Sequence, residues 1–324
     1  MYPIKVSAPA KIILFGEHAV VYGQPAIAIP VLDVRAFAEI KIENTLKPPC
    51  IRANDLNIEF SLAFKKPPPD EIKHIIKAMH LVADRLWLPW LPPGWKLELW
   101  SQIPIARGMG SSAAISVVLI KIFFKLGFEE VSQSVLVELS YELEKYHHGR
   151  PSGIDNTVIS LEKPILFQKE QEIKIINPQK FYFVIGDTGI GKKTAQVVAE
   201  VLERYKENPQ FYDEIFHSIG DITNKGLNVL KTGDQKQLGH LMNRNQSLLE
   251  KIGVSCPELD QLVQVAQDRG ALGAKLCGAG QGGCMVALAK SEPKAKSIAA
   301  ALKKAGAENS FVTILKSGYN QLIT

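Results

Sequence analysis

The residues able to do chemistry are concentrated in four short segments. The first is Pro104-Ile105-Ala106-Arg107-Gly108-Met109-Gly110-Ser111-Ser112-Ala113-Ala114. Two glycines permit tight turns and leave no Cβ to keep an anion off the backbone. The small residues after them open a predicted apolar helix, whose first N–H groups and dipole favour phosphate. A Gly-rich turn followed by a serine N-cap is the plain alternative. The second segment is Glu144-Lys145-Tyr146-His147-His148-Gly149-Arg150-Pro151-Ser152-Gly153-Ile154-Asp155-Asn156. Glu144 falls in the last turn of one predicted helix, and Asp155 begins the next after a Pro-Ser-Gly turn. One carboxylate could hold Mg²⁺ while the other meets an attacking hydroxyl. An exposed acid and an acid at a helix start would look the same. His147 and His148 are adjacent, cannot share a helix face as paired metal ligands, and read as structural.

The third segment is the opening, Ser7-Ala8-Pro9-Ala10-Lys11-Ile12-Ile13-Leu14-Phe15-Gly16-Glu17-His18-Ala19-Val20-Val21-Tyr22-Gly23. Lys11, Glu17 and His18 interrupt an apolar run. A strand buried on both faces should not carry Lys11 without a partner, so Lys11 either faces Asp155 or reaches solvent from an edge strand. The fourth segment is Lys275-Leu276-Cys277-Gly278-Ala279-Gly280-Gln281-Gly282-Gly283-Cys284. Its density of glycine demands unusual backbone angles or close approach to another group, or else marks a long hairpin loop. One more stretch, Gly186-Asp187-Thr188-Gly189-Ile190-Gly191-Lys192-Lys193-Thr194, nearly matches G-x-x-x-x-G-K-[ST] between a predicted strand and helix. Lys193 occupies the hydroxyl position that would bind Mg²⁺, which brings positive charge to a cation site and argues against a phosphate-binding P-loop.

Alternating apolar runs broken by Gly and Pro over the first 45 residues predict strands. Ile72, Ile75, Ile76, Met79 and Val82 recur at helical spacing within 71–87. Residues 111–126 are apolar nearly all round, and their length and Ser-Ser start favour a buried helix over a strand, with Gly127 as its stop. Residues 132–147 form another helix. Near 180 the pattern restarts: a strand at 181–185, a helix from about Lys193, helices to Arg269, an apolar run at 284–289, a helix near 293–305 and a strand near 310–316. That order is α+β. It places a boundary at 180, with a nucleotide half over 1–180 and a second half over 181–324.

The chain has 324 residues, 46% hydrophobic and 22% charged, the composition of a globular protein with room for two cores. No apolar run is long enough for a membrane helix. No signal peptide is evident, which predicts a cytoplasmic protein. Cys50, Cys256, Cys277 and Cys284 lack C-x-x-C spacing, so zinc is not expected and the thiols read as reduced. The net charge of +5 is modest and spread along the chain, with no basic stripe for nucleic acid.

Taken in order, the four segments resemble the GHMP kinase superfamily, and P-A-K-I-I-L-F-G-E-H-A-V-V-Y-G is similar to the first motif of its members that phosphorylate mevalonate. The resemblance spans residues 7–284. It implies a two-domain fold, with an N-terminal ribosomal-protein-S5-like nucleotide domain and a C-terminal ferredoxin-like domain. It also implies transfer of phosphoryl from ATP to mevalonate, with Mg²⁺, in isoprenoid biosynthesis. By this resemblance Asp155 and Lys11 form the catalytic pair, and Ser112 and Glu144 hold Mg²⁺. Arg107, Gly108, Met109, Gly110, Ser111, Ser112 and Ala113 cradle ATP; Glu17, His18, Thr194 and Gly280 lie near the acceptor. Two departures stand out. Ala106-Arg107 replaces the more usual Gly-Ala and looks more like a homoserine kinase, and Arg150 replaces the common Asn. Other readings are a homoserine-type small-molecule kinase, a P-loop ATPase built on Lys192, or a non-catalytic metabolite-binding relative. Finally, residues 86–100 hold all four tryptophans, Trp87, Trp90, Trp95 and Trp100. A projecting loop carrying Trp90 and Trp95 predicts a contact surface and a homodimer.

Overall fold

Strands β1 (Ile4–Phe15) and β2 (Ala26–Ile42) lie antiparallel at the heart of the N-terminal half, with a register shift between Pro9 and Ala10 just before Lys11. From Ala8 onward β1 is buried at every position, so its side chains meet protein on both faces. This computed structural model describes residues 3–43, 47–63, 67–88, 93–148 and 151–318, without the side chains of His147 and His148. The chain continues through β3 (Cys50–Ala53), β4 (Ile58–Ser61), α1 (Asp70–Arg85), β5 (Trp95–Ser101), α2 (Ser111–Leu126), α3 (Gln133–His148), α4 (Ile154–Leu161), β6 (Ile165–Phe167) and β7 (Lys174–Ile175). The sheet runs β4-β3-β5-β2-β6-β7, with β1 also paired to β2.

Helix α2 is the pivot of this half. Val117, Val118, Leu119, Ile120, Ile122 and Phe123 are buried around its whole circumference, as expected of a helix that is apolar all round. It packs on β1, β2, α1, α3 and α4. Its N-cap is Gly110 rather than a serine, because helical geometry already begins at Ser111, and no side chain caps it.

A second sheet follows: β8 (Phe181–Asp187), then α5 (Thr194–Glu207), α6 (Pro209–Thr232), α7 (Gln235–Ile252) and α8 (Pro257–Asp268), then β9 (Gly273–Cys277), β10 (Cys284–Ala289), α9 (Glu292–Lys304) and β11 (Asn309–Leu315). Its order is β11-β8-β10-β9, antiparallel throughout, the arrangement of a ferredoxin-like unit. The sheets divide between Ile175 and Phe181, but the apolar core does not. The larger cluster joins Ile12, Leu14 and Val117 to Phe181, Ile185, Leu241 and Cys277, and a second cluster around Phe216, Leu262 and Leu276 lies wholly in the C-terminal half apart from Ala19.

The tryptophan segment departs from expectation. Trp95 begins β5, is 2% exposed and tilts against Phe123, so it belongs to the core. Trp100 stacks on Phe37 within the sheet. Trp87 is exposed, and Trp90 lies outside the described residues, as does Arg150. Among the described residues no helix is long and apolar enough to cross a membrane.

Candidate active site

Lys11 reaches from the buried strand β1 to Asp155 in the first turn of α4, with Nζ 3.0 Å from Oδ1. The lysine is 3% exposed and the carboxylate 39%, so the pair has a dry cationic side and a wet anionic side. The backbone N–H of Lys11 donates to the carbonyl of Met109 at 3.0 Å, tying the strand to the loop before α2. Gly110 is required there twice over. Its φ is +77°, and a Cβ would lie 2.9 Å from Lys11 Cγ and 2.9 Å from Ile159. The lysine stem occupies the space that the glycine leaves.

Gly108 (φ +76°), Met109, Gly110, Ser111, Ser112 and Ala113 form one continuous turn into α2. Met109 and Ala113 are buried. The helix N-terminus has no side-chain cap, so its first N–H groups suit an anion. Ser112 Oγ donates to Glu144 Oε1 at 2.9 Å, and Ser116 Oγ donates to the same oxygen at 2.7 Å. Ser116 in turn meets His74 Nε2 at 3.1 Å. Glu144 is 6% exposed, and α2, α3 and α1 thus converge on one carboxylate. Ser116 and His74 carried no sequence signal of their own; Ser116 lies one turn after Ser112, which is the only hint. Among the described residues no cluster of three or more His, Cys, Asp or Glu could hold a metal by itself. One carboxylate and one hydroxyl beside an uncapped helix start are the donor set Mg²⁺ takes when phosphate and water complete its shell, so the residues fit that ion.

Glu17 and His18 face the C-terminal half. Glu17 is fully buried and pairs with Lys275 Nζ through Oε1, while Asn245 Nδ2 donates to its Oε2 at 3.2 Å. Lys275 also donates to the carbonyl of Leu276 at 2.7 Å. His18 Nε2 lies 2.8 Å from the carbonyl oxygen of Ala279, a contact that only a protonated Nε2 can make. Burial holds the His18 imidazole below its ordinary pKa, offset by that carbonyl bond, with the Arg204 charge adding to the lowering. His18 sits at φ +60° at the entrance to the 3₁₀ turn Ala19–Tyr22.

The Gly-rich segment 278–283 folds back between the two halves. Gly280 has φ +80°, and a Cβ there would lie 2.0 Å from the carbonyl oxygen of Val254. Backbone approach to the α7–α8 connection therefore explains this glycine. Gly283 N donates to Ile190 O at 2.6 Å, and its carbonyl accepts from Thr188 N and Oγ1, both at 2.9 Å. Thr194 is exposed and opens α5. Lys192 is engaged by Glu200 at 2.6 Å and by Gln281, which removes it from any P-loop role in this conformation.

Arg107 turns its guanidinium toward the C-terminal half. Nε makes an ion pair with buried Asp187 Oδ1 at 3.1 Å without hydrogen-bond alignment, and Nη2 donates to Gly189 O at 2.6 Å and to Glu308 Oε2 at 3.3 Å. The preceding Ala106 lies at φ +58°, a conformation that costs an L-residue about 1 kcal/mol or more.

An ion-paired lysine and aspartate, an uncapped, glycine-entered helix and a Ser–Glu donor pair are groups that phosphoryl transfer could use. Residues 73–163 match the GHMP kinases N terminal domain and residues 227–308 match GHMP kinases C terminal. The chain is 36% identical to the mevalonate kinase of Pyrococcus abyssi, over 97% of this chain and 96% of that protein. It is 34% identical to that of Methanocaldococcus jannaschii, over 89% and 92%. The crystal structure of L. major mevalonate kinase in complex with R-mevalonate superposes with a TM-score of 0.83 at 29% identity, covering 98% of this chain and 97% of that one. The Methanococcus jannaschii mevalonate kinase structure gives a TM-score of 0.83 at 30% identity, covering 98% and 99%. The chain belongs to the GHMP kinase family and, within it, to the mevalonate kinases.

Proposed function

We propose that this chain transfers the γ-phosphoryl group of ATP to the primary (5-) hydroxyl of mevalonate. The observation that carries the reading is the Lys11–Asp155 pair: its carboxylate is partly exposed, and its lysine stem packs against Gly110 in the turn into α2. Full-length similarity to mevalonate kinases supplies the acceptor.

Phosphoryl transfer asks mainly for alignment and for neutralisation of charge. The turn 108–113 would receive the ATP phosphates on backbone N–H groups and the dipole of α2. Ser112 and Glu144 would hold Mg²⁺, which when bound neutralises phosphate charge. Ser116, held by His74, fixes the shared Glu144 oxygen. Asp155 orients the acceptor hydroxyl. A carboxylate is far too weak a base to strip an alcohol in advance, so Asp155 takes the proton late, as oxygen bonds to phosphorus. Lys11 stabilises the developing alkoxide and holds Asp155 in place. His18, neutral and anchored through Nε2–H, leaves Nδ1 as an acceptor, whereas both Glu17 oxygens are already engaged by Lys275 and Asn245. Glu17 therefore serves the acceptor pocket by holding the 275–283 segment.

The test is ADP release by purified protein with mevalonate, phosphomevalonate, homoserine or galactose as acceptor. Mevalonate-specific release is expected; turnover of homoserine without mevalonate would reassign the enzyme. Glu144→Gln and Ser112→Ala should both raise the Mg²⁺ requirement, and a Mg²⁺ titration unchanged in both would remove them from the ion site.

A further inference from the structure

The P-loop-like segment 186–194 is not explained by nucleotide binding, and its geometry gives it another occupant. Gly191 is the glycine of G-x-x-x-x-G-K, and a Cβ on it would lie 2.3 Å from Arg107 Nη1 and 2.9 Å from the carbonyl oxygen of Ala106. The guanidinium fills the space where a side chain at 191 would be. Around it stand Asp187, fully buried, the carbonyl of Gly189 and the Glu308 carboxylate. Asp187 is itself fixed by the Gly189 N–H at 3.0 Å and by Asn309 Nδ2 at 3.3 Å. Gly189 stands at φ +77°, which few other residues adopt without strain.

We propose that residues 187–191, with Glu308, form a guanidinium socket in the C-terminal half, and that Arg107 plugged into it is a positioning residue that sets the phosphate loop for nucleotide. The proposal deepens the kinase reading and rests on it. Three observations converge. Ala106 is strained at φ +58°, and strain of this kind persists only where surroundings over-determine it. The Arg107 contacts, made immediately after it, supply that constraint. The carbonyl of Arg107 also lies 3.0 Å from where a Cβ on Gly283 would be, so the phosphate loop and the Gly-rich loop 278–283 touch at the same point. Finally, an ion pair to Asp187 and hydrogen bonds to two further groups suit the planar fork of arginine and exceed the reach of one ammonium. The Ala-Arg departure from Gly-Ala is thus one device: a fixed loop in place of a permissive one.

The experiment measures Mg-ATP affinity by calorimetry without acceptor, then kcat and both KM values, for Arg107→Ala, Arg107→Lys, Asp187→Asn and Gly191→Ala. Misplacing the loop should weaken Mg-ATP binding by about tenfold in Arg107→Ala. Gly191→Ala and Asp187→Asn should weaken it in the same direction, ATP KM should rise in step, and mevalonate KM should stay within about twofold of wild type. Arg107→Lys should recover part of the loss. If Arg107→Ala fails to fold, Gly191→Ala and Arg107→Lys carry the same test. Normal Mg-ATP affinity in Gly191→Ala overturns the proposal, because that change blocks the socket while keeping the Arg107 charge. A loss confined to Arg107→Ala also overturns it, since the arginine would then act on phosphate directly. A wild type that binds Mg-ATP but leaves mevalonate unphosphorylated refutes the acceptor and leaves this result standing.

Discussion

Among the described residues, two buried lysines sit beside a carboxylate, and the two pairs differ in how open that carboxylate is. Lys11 is 3% exposed, but its partner Asp155 is 39% exposed and opens toward solvent. Lys275 and its partner Glu17 are both 0% exposed and stitch β9 to the loop after β1. The first pair keeps one partner available to a reacting group. The second keeps both from water, and the carboxylate meets Asn245 and the ammonium the Leu276 carbonyl. Cys277, near Lys11, Lys275 and Glu17, donates to Ile13 O at 3.2 Å, and burial pushes its thiol up to about 11. Residue type does not distinguish the two pairs; access to the carboxylate does.

The largest effect that could break this contrast is on turnover. Asp155→Asn should lower kcat by about 10²-fold or more while nucleotide affinity is kept. Near-wild-type ADP release from that variant would make the open pair as structural as the closed one. Next comes stability. Lys275→Met strands a buried carboxylate and should cost about 3–5 kcal/mol, whereas Lys11→Met leaves Asp155 to water and should cost about 1 kcal/mol. Urea unfolding of the two variants measures the gap, and equal losses would show that the exposure of Asp155 is irrelevant.

The smallest effect concerns His18, next to Glu17. Its folded-state pKa is depressed below the ordinary 6.5 by burial, so the unfolded chain binds the proton more readily. The stability that His18 contributes is therefore complete above pH 6.5 and declines as pH falls through its folded value. Unfolding midpoints should drop more steeply with acid in wild type than in His18→Gln over that window. Parallel curves would mean that the imidazole is not held neutral.

Much of the fold was legible because its signals are local. The all-round apolar run 111–126 became α2, the 3–4 spacing in 71–87 became α1 over Asp70–Arg85, and the run 284–289 became β10. Trp95 was misplaced because prolines and Gly94 beside it suggest a loop, while the tertiary sheet claims it as the first residue of β5. Trp95 packs on Phe123, a partner distant in sequence.

The sequence by itself determined which residue types stand ready for phosphoryl chemistry: glycines before an apolar helix, a lysine in a strand too apolar to hold it alone, and an acid at a helix start. These are properties of short segments, where backbone freedom, helix dipoles and the cost of a buried charge act over a few residues. Only the tertiary structure decided the pairings. Lys11 met Asp155 across 144 positions, Glu17 met Lys275 across 258, and Arg107 met Glu308 across 201. Nothing local encodes such partners. They are selected when the two sheets close on a shared core, because each charge taken from water must then find its counter-charge there.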